Sequence, residues 1–452
     1  MGITRYQKRL TKDLDRWIGH GLVTRESRKA ILDDVASTPS GWTASGALAI
    51  LGSVLLALAA LSFVAANWAE LGDSLRLGLV FVSIWGCFLG AGRAFSTSHP
   101  AIGHSLTLLG AALFGIGIVL IAQIFNMSSW RYSVFGIWAA GALITALLTP
   151  SRPVLILAAT LGSAWVWAEG FNTYAPGIIW GYLPLWLISL AAASRMRSLV
   201  SVNLLSVGLY VWIGFLLWDY AQNDRLSALQ LSSALILACA ATAIAFAALR
   251  DREWFGFGAL TNWGTSLVLT TGFFAQYPLA QYENWARHGV GDESGERWKE
   301  VAGGGNSDYW WLAGIFGLVF AITLAWRMTR EPASRALALP ASMAAALVFF
   351  LPSLAAFLGG EAVLILRIGL GIAIIAVAIS LILYGSREGR RFTGGLGIAL
   401  FVGEALYIYG ETFGDLLDTS LFFLVGGLLL FGLSVAVLRF QKRLSPEKEA
   451  RS

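Results

Sequence analysis

Charge is what this chain has least of. Only 13% of its 452 residues are Asp, Glu, Lys or Arg, against 57% hydrophobic residues, and no soluble fold has an interior large enough to bury that apolar surplus. Cysteine is almost as scarce. Cys87 and Cys239 each lie mid-way along an apolar segment with no His, Cys or carboxylate at ligand spacing, which argues against a disulfide framework and against a metal site. Both read as small core residues. The four histidines, His20, His99, His104 and His288, are scattered and form no H-E-x-x-H. A Walker loop, a G-x-S-x-G elbow and a dinucleotide fingerprint in strand-to-helix context are also missing, so soluble ATPase, hydrolase and oxidoreductase chemistry has no foothold. The sequence therefore indicates no catalytic residue, no metal and no cofactor.

What it has in abundance is long apolar runs. A helix needs roughly 20 apolar residues to cross the hydrocarbon core, and by that ruler spans are expected at 44–66, 75–92, 103–124, 132–149, 153–168, 175–193, 199–218, 228–249, 255–275, 309–328, 336–353, 361–384, 393–409 and 417–438. The expected fold is an all-α, polytopic integral membrane protein of about 14 transmembrane helices, with a range of 12 to 16 from the shortest connections. More than forty mostly polar residues precede the first span, which is too long for the h-region of a cleaved signal peptide.

Positive charge fixes an expected orientation, because Lys and Arg are retained on the cytoplasmic side of short loops. With the N-terminus inside, 25 of the 32 basic residues fall on the cytoplasmic side and six on the other, with Arg367 inside a span. Such a split is what an even number of spans with both termini in the cytoplasm predicts. The net charge of +5 then reflects topology and attraction to anionic lipid, and nucleic acid is excluded as a partner.

Residues 1–40 read as a cytoplasmic helical hairpin. Leu10, Leu14, Trp17 and Ile18 fall at helical spacing, "GHGL" breaks the pattern, and Thr24 can cap a second helix carrying Ile31, Leu32 and Val35. It is either a topology anchor on the membrane face or a docking module for a partner protein. Beyond it come a first four-helix unit (44–149), a central six-helix unit (153–328), a last four-helix unit (336–438) and a basic cytoplasmic tail (439–452). The central unit contains the long extracytoplasmic loop 276–308, polar and glycine-rich, expected as a flexible loop or a lid. Trp68, Trp130, Trp180, Trp218, Trp310 and Trp311 sit near span ends, where indole favours the interface.

Glu70, five residues and then Arg76-Leu77-Gly78-Leu79 is echoed by Glu361, five residues and then Arg367-Ile368-Gly369-Leu370. The first and last four-helix units are therefore expected to be repeats in the same orientation. Arg367 and Glu404 each lie roughly 9 Å below the extracytoplasmic surface at 1.5 Å per residue. Charges in hydrocarbon pair with one another, so an Arg367–Glu404 ion pair is expected, either structural or proton-handling. Gly395, Ala399 and Gly403 form a small-residue stripe expected to admit a neighbouring helix. Asn203 and Asn262 are expected to bridge helices. A rim site is expected from Asn67, Glu70, Arg76, Gln123, Asn126 and Glu361, at one membrane face, with helix capping as the alternative.

"FVAANW" (63–68) and "LFGIGIVLIAQIFNMSS" (113–129), behind "DRWIGHGLVTRES" (15–27), resemble the bacterial predicted membrane proteins grouped as domain of unknown function 2157. "YGETFGDLLDTSLFFLVGGLLLFGL" (409–433) resembles domain of unknown function 4401. The resemblance implies a bacterial multi-span protein of the plasma membrane and transfers no active-site residues.

Three function classes stay open. A secondary transporter or flippase of a small or lipid-like solute, itself unknown, fits the span count, the repeats and the buried charges. A scaffold or sensor fits the hairpin and the scarcity of polar residues in spans five to ten. A membrane enzyme would rest on rim acids such as Glu70, Asp73, Glu361 and Glu411, which equally read as loop acids.

Overall fold

The computed structural model describes residues 5–37, scattered positions between 48 and 62, and residues 72–127, 132–172, 177–222, 226–250, 255–288, 294–303, 307–330, 335–387 and 389–413. The described residues are helical, with no strand among them. Two compact units divide the chain, Met1–Leu113 and Phe114–Ser452.

In the first unit α1 (Arg5–Gly19) and α2 (Arg25–Ser37) form a short hairpin. Gly21 takes the left-handed conformation the turn needs (φ 70°), and Leu22 N–H reaches back to Trp17 O at 2.9 Å. Thr24 Oγ1 accepts from Ser27 N–H at 3.2 Å as the cap of α2. Arg28 then bonds Asp15 across the hairpin at 2.9 Å. α3 (Asp73–Ser96) and α4 (Pro100–Ile124) follow, turning through Ser98 with φ 62°. The division between the two units falls inside α4.

The second unit holds α5 (Ser133–Leu148), α6 (Arg152–Gly170), α7 (Tyr182–Arg195), α8 (Leu199–Gln222), α9 (Ala228–Arg250), α10 (Phe257–Phe274), α11 (Tyr277–His288), α12 (Ser294–Ala302), α13 (Ser307–Arg330), α14 (Arg335–Leu358), α15 (Val363–Arg387) and α16 (Arg391–Phe413), with a 3-10 turn at Gly360–Ala362. α9 is its hub, in contact with α8, α10, α12, α13 and α14. Its sequence shows why. Ala234, Ala238, Ala241, Ala243, Ala247 and Ala248 are all buried, and small side chains let several neighbours approach one helix closely. Side chains also pin helices together through backbone carbonyls: Ser163 Oγ donates to Leu204 O at 2.9 Å, Trp186 Nε1 to Leu205 O at 2.8 Å and Tyr210 Oη to Leu260 O at 3.2 Å.

Twelve of the fourteen expected spans fall on α3–α10 and α13–α16. The spans at 44–66 and 417–438 lie wholly or mostly outside the described residues. Nine described helices are long and apolar enough to cross a membrane, and α5 is a shorter apolar helix. α7 has 14 residues, about 21 Å of rise against a hydrocarbon core of about 30 Å.

Two expectations change in detail. The stretch 276–308 is helical over α11 and α12, because its apolar side chains recur at helical spacing and find a surface to cover. Of the stripe Gly395, Ala399 and Gly403, Gly403 faces a neighbouring helix, where a Cβ would lie 3.9 Å from Phe273 of α10, while the α15–α16 seam is built from other glycines. A Cβ on Gly385 would lie 2.4 Å from Gly394 N, and one on Gly397 would lie 2.7 Å from Ala378 O and 2.9 Å from Ile382 N. Gly395 has nothing within 4 Å. One residue turns a helix by about 100°, which moves the contact from Gly395 to its neighbour Gly394. Gly397→Ala is accordingly expected to destabilise by about 1–3 kcal/mol, since backbone atoms must give way. Gly395→Ala is expected to be neutral or to stabilise by up to about 1 kcal/mol through helix propensity. Thermal unfolding of the two variants in detergent checks both, and equal melting points would discard the seam.

Candidate functional site

α10 runs into α11 through a tight junction. Ala275 N–H donates to Thr271 O at 2.9 Å, and Ala280 N–H takes Gln276 O at 3.0 Å as the first helical bond of α11. Gln276 is thus the residue that starts α11, and Glu283 follows two turns later on the same face. α15 presents Arg367 and Gly371 one turn apart, and α16 presents Glu404 and Tyr407.

These positions meet in one buried cluster. Arg367 Nη1 donates to Glu283 Oε2 in a close ion pair, and Arg367 Nη2 donates to Tyr407 Oη at 2.7 Å. The guanidinium carbon lies 5.8 Å from the centre of the Tyr407 ring, whose other neighbour is Phe273, ring to ring at 5.7 Å. Gln276 Nε2 donates to both carboxylate oxygens of Glu404, at 3.0 and 3.3 Å. Glu404 has no accessible surface, and Gln276 and Glu283 are buried with it. Gly371 faces Glu404: a Cβ there would sit 3.0 Å from Oε1. Arg367 lies seven residues into the apolar stretch Gly360–Arg387, and Glu404 five residues before the end of Arg391–Tyr409. At 1.5 Å per residue both are about 8–10 Å inside the span.

Arg367 and Glu404 therefore share a cluster and do not form the expected ion pair. The guanidinium is taken by Glu283, which α11 supplies from a segment read as a loop. Glu404 is left to the neutral amide of Gln276. Among the described residues it makes no salt bridge. Gln276, Glu283 and Tyr407 are the residues the sequence reading missed. The available signal was in "QYPLAQYENWARH", where Leu279, Tyr282 and Trp285 repeat at three-residue intervals that mark an amphipathic helix.

α11 and α12 cover this end of the bundle. Leu279, Tyr282, Trp298 and Ala302 pack with Leu229 of α9, Leu351 and Ala355 of α14, and Val363, Leu366 and Leu370 of α15. Trp298 Nε1 donates to Ala355 O at 3.2 Å, and its ring lies 4.6 Å from that of Tyr282. Arg297 sits 4.9 Å above Trp285.

The expected rim residues that the structure describes keep local surroundings of their own. Asn67 and Glu70 lie outside the described residues. Arg76, in the first unit, donates to Asp73 one turn before it at 3.0 Å. Gln123 and Asn126 end α4: Asn126 takes the left-handed conformation (φ 47°) and its N–H reaches Gln123 O at 3.3 Å, a helix-terminating geometry. Glu361 is exposed in the 3-10 turn. Among the described residues no hydrogen bond joins Glu361 to Gln123 or Asn126. Asn203 bridges helices, donating to Leu199 O and accepting from Trp263 Nε1 at 2.9 Å. Asn262 leaves that role to its neighbour Trp263. Among the described residues no group of three His, Cys, Asp or Glu is placed to hold a metal ion.

Residues 15–155 match the model of the family described as predicted membrane protein (DUF2157). The match ends within α6. It reaches neither the cluster around Glu404 nor the resemblance at 409–433. No curated protein and no solved structure matches the chain.

Proposed function

We propose that this multi-pass membrane protein is a secondary transporter or flippase of a small or lipid-like solute, seated in the bacterial plasma membrane with both termini cytoplasmic, in which Glu404 is the coupling carboxyl. The observation that carries this reading is the surroundings of Glu404. A charge in the hydrocarbon costs on the order of 2.5–3.5 kcal/mol, and an ionisable group placed there is a functional candidate by default. Glu283 is committed to Arg367, whereas among the described residues Glu404 holds the amide of Gln276 and no cation. It can gain or lose a proton without breaking an ion pair. Gln276 and Glu283 both belong to the α10–α11 junction and cap, so a shift of α11 would uncover Glu404 and release Arg367 in one movement. That is the form a gate over a coupling site takes. The split of 25 basic residues against six supports the sidedness, in which the α11–α12 cap faces outside.

A second reading, a scaffold or sensor working through the hairpin α1–α2, is favoured by one observation. Asn203, an amide of the central helices, is consumed by structural hydrogen bonds and so is not left to meet a solute.

Charge movement on a solid-supported membrane separates the two. Proteoliposomes of the wild type are expected to give a current on a pH jump, reduced at least about tenfold in Glu404→Gln, which keeps the size of the side chain and removes its titration. Silence from a folded wild type would reject transport in favour of the scaffold.

A further inference from the structure

The turn joining α5 to α6 and the turn joining α7 to α8 lie side by side, and Arg152 ties them: its Nε donates to Met196 O at 2.8 Å. Between them opens a cleft of about 470 Å³, a size usual for a ligand pocket. Its lining divides into two chemistries. Leu147, Pro150, Ala192 and Met196 supply apolar surface, and Arg152, Arg195 and Arg197 supply guanidinium groups, with no acid among the described lining residues. Among the described residues Arg152 makes the one bond to Met196 O, which engages Nε and leaves its two terminal nitrogens to the cleft, and Arg195 and Arg197 make no hydrogen bond or salt bridge.

Arg197 is the residue that needs explaining. The chain leaves α7 by a Schellman turn, in which Ser198 N–H donates to Ala193 O at 3.0 Å and Arg197 N–H to Ser194 O at 3.3 Å. The turn requires one residue in the left-handed conformation, and Arg197 takes it with φ 51°. Glycine occupies that position at least cost. A cation for the helix C-terminus is no reason to depart from glycine there, because Arg195 in the last turn of α7 already provides it. The strain is held for a side chain that opens onto the cleft, and strain of this kind gathers at ligand clamps.

The donors decide the ligand. An Arg fork matches the oxygens of a phosphate pairwise, through N–H groups at contact range. We propose that this cleft binds an anionic phosphate group, with Arg152 and Arg197 as its principal donors. The phosphate can come from a lipid headgroup or from a soluble ester, and the apolar side of the cleft favours the lipid. Ile144 lies one turn before the lining residue Leu147 on α5, and Ile188 one turn before the lining residue Ala192 on α7, and both isoleucines are exposed. An apolar path thus continues from the cleft along the two helices, as an acyl chain below a bound headgroup requires. In the proposed orientation both turns face the cytoplasm, where basic pockets between membrane helices take anionic headgroups. The site is separate from the cluster around Glu404 and does not depend on the transport reading.

The test is native mass spectrometry of the full-length, delipidated protein, titrated with phosphatidylglycerol and separately with phosphatidylcholine, whose phosphate is neutralised by its own ammonium. The first phosphatidylglycerol is expected to bind at least about tenfold tighter than phosphatidylcholine. Arg197→Gly is expected to weaken it at least about tenfold while melting at or above the wild-type temperature, because glycine relieves the left-handed turn. An arginine kept for structure alone would not separate those two readouts. Should that variant fail to fold, Arg195→Gln takes its place with the same expected loss. Arg387→Gln, in the last turn of α15, tests for diffuse attraction and is expected to leave the affinity unchanged. Glycerol 3-phosphate identifies the source: failure to displace phosphatidylglycerol assigns the site to a lipid headgroup, and displacement at comparable concentration assigns it to a soluble ester. Unchanged phosphatidylglycerol binding in Arg197→Gly, an equal loss in Arg387→Gln, or no preference over phosphatidylcholine in the folded wild type would overturn the proposal.

Discussion

Arg367→Met is expected to destabilise the protein by about 3–5 kcal/mol, and Glu283→Met in the same chain to restore most of that loss. The size follows from what each change leaves behind. Removing one member of a buried ion pair strands the other charge, whereas replacing both with apolar side chains of similar volume is often neutral. Here the guanidinium is mostly buried, with 11% of its side chain exposed, against a Glu283 carboxylate at 9%, so neither charge has water to fall back on. The discriminating control pairs Arg367→Met with Glu404→Gln. Glu404 bonds Gln276 and not Arg367, so this second change is expected to give no rescue. Unfolding free energies of the single and double variants in detergent form the cycle. Rescue through position 404 in place of 283 would show that the helices pair as the bare sequence suggests and that α11 does not supply the counter-charge.

How much of this was legible beforehand differs by level. The apolar runs located α3–α6, α8–α10 and α13–α16 within about five residues, and α7 with a start seven residues late, because length and hydropathy are properties of each segment alone. The same reasoning put Arg367 and Glu404 at one depth, and they do share a cluster. It did not supply partners. Glu283 lies 84 residues from Arg367 and Gln276 lies 128 from Glu404, and both sit in a stretch whose glycines and acids outweigh its Leu279, Tyr282 and Trp285 when composition is averaged. The glycine seam shows the same limit at finer grain. Gly394 and Gly395 are adjacent in sequence, and only the position of α15 decides which of them carries the contact. Asn203 succeeded as a bridge because an amide within an apolar helix finds partners on its neighbours, while the identity of Trp263 as donor belonged to the packing.

The cap yields the other large effect. Trp298→Ala should cost about 3–5 kcal/mol, the usual range for truncating a buried Trp, because the indole fills the space between α11, α14 and α15 and its N–H is bonded to Ala355 O. The loss should be local. α12 touches the bundle through α9, α14 and the 3-10 turn, whereas the membrane helices hold each other through contacts the variant leaves intact, so α11 and α12 should open without global unfolding. Tyr282 sharpens the expectation. Its ring packs tilted against that of Trp298 at 4.6 Å and its hydroxyl fills the place a Cβ of Gly360 would take, 2.2 Å away, so loosening α12 should loosen α11 and with it Gln276 and Glu283. Hydrogen exchange over residues 277–302 is expected to rise in Trp298→Ala while exchange in α9 stays slow. If α11 is the gate over Glu404, the same variant should accelerate reaction of a carbodiimide with Glu404 in the intact membrane protein. Faster exchange in the cap with an unchanged rate at Glu404 would separate the two elements and leave α11 a structural cover alone.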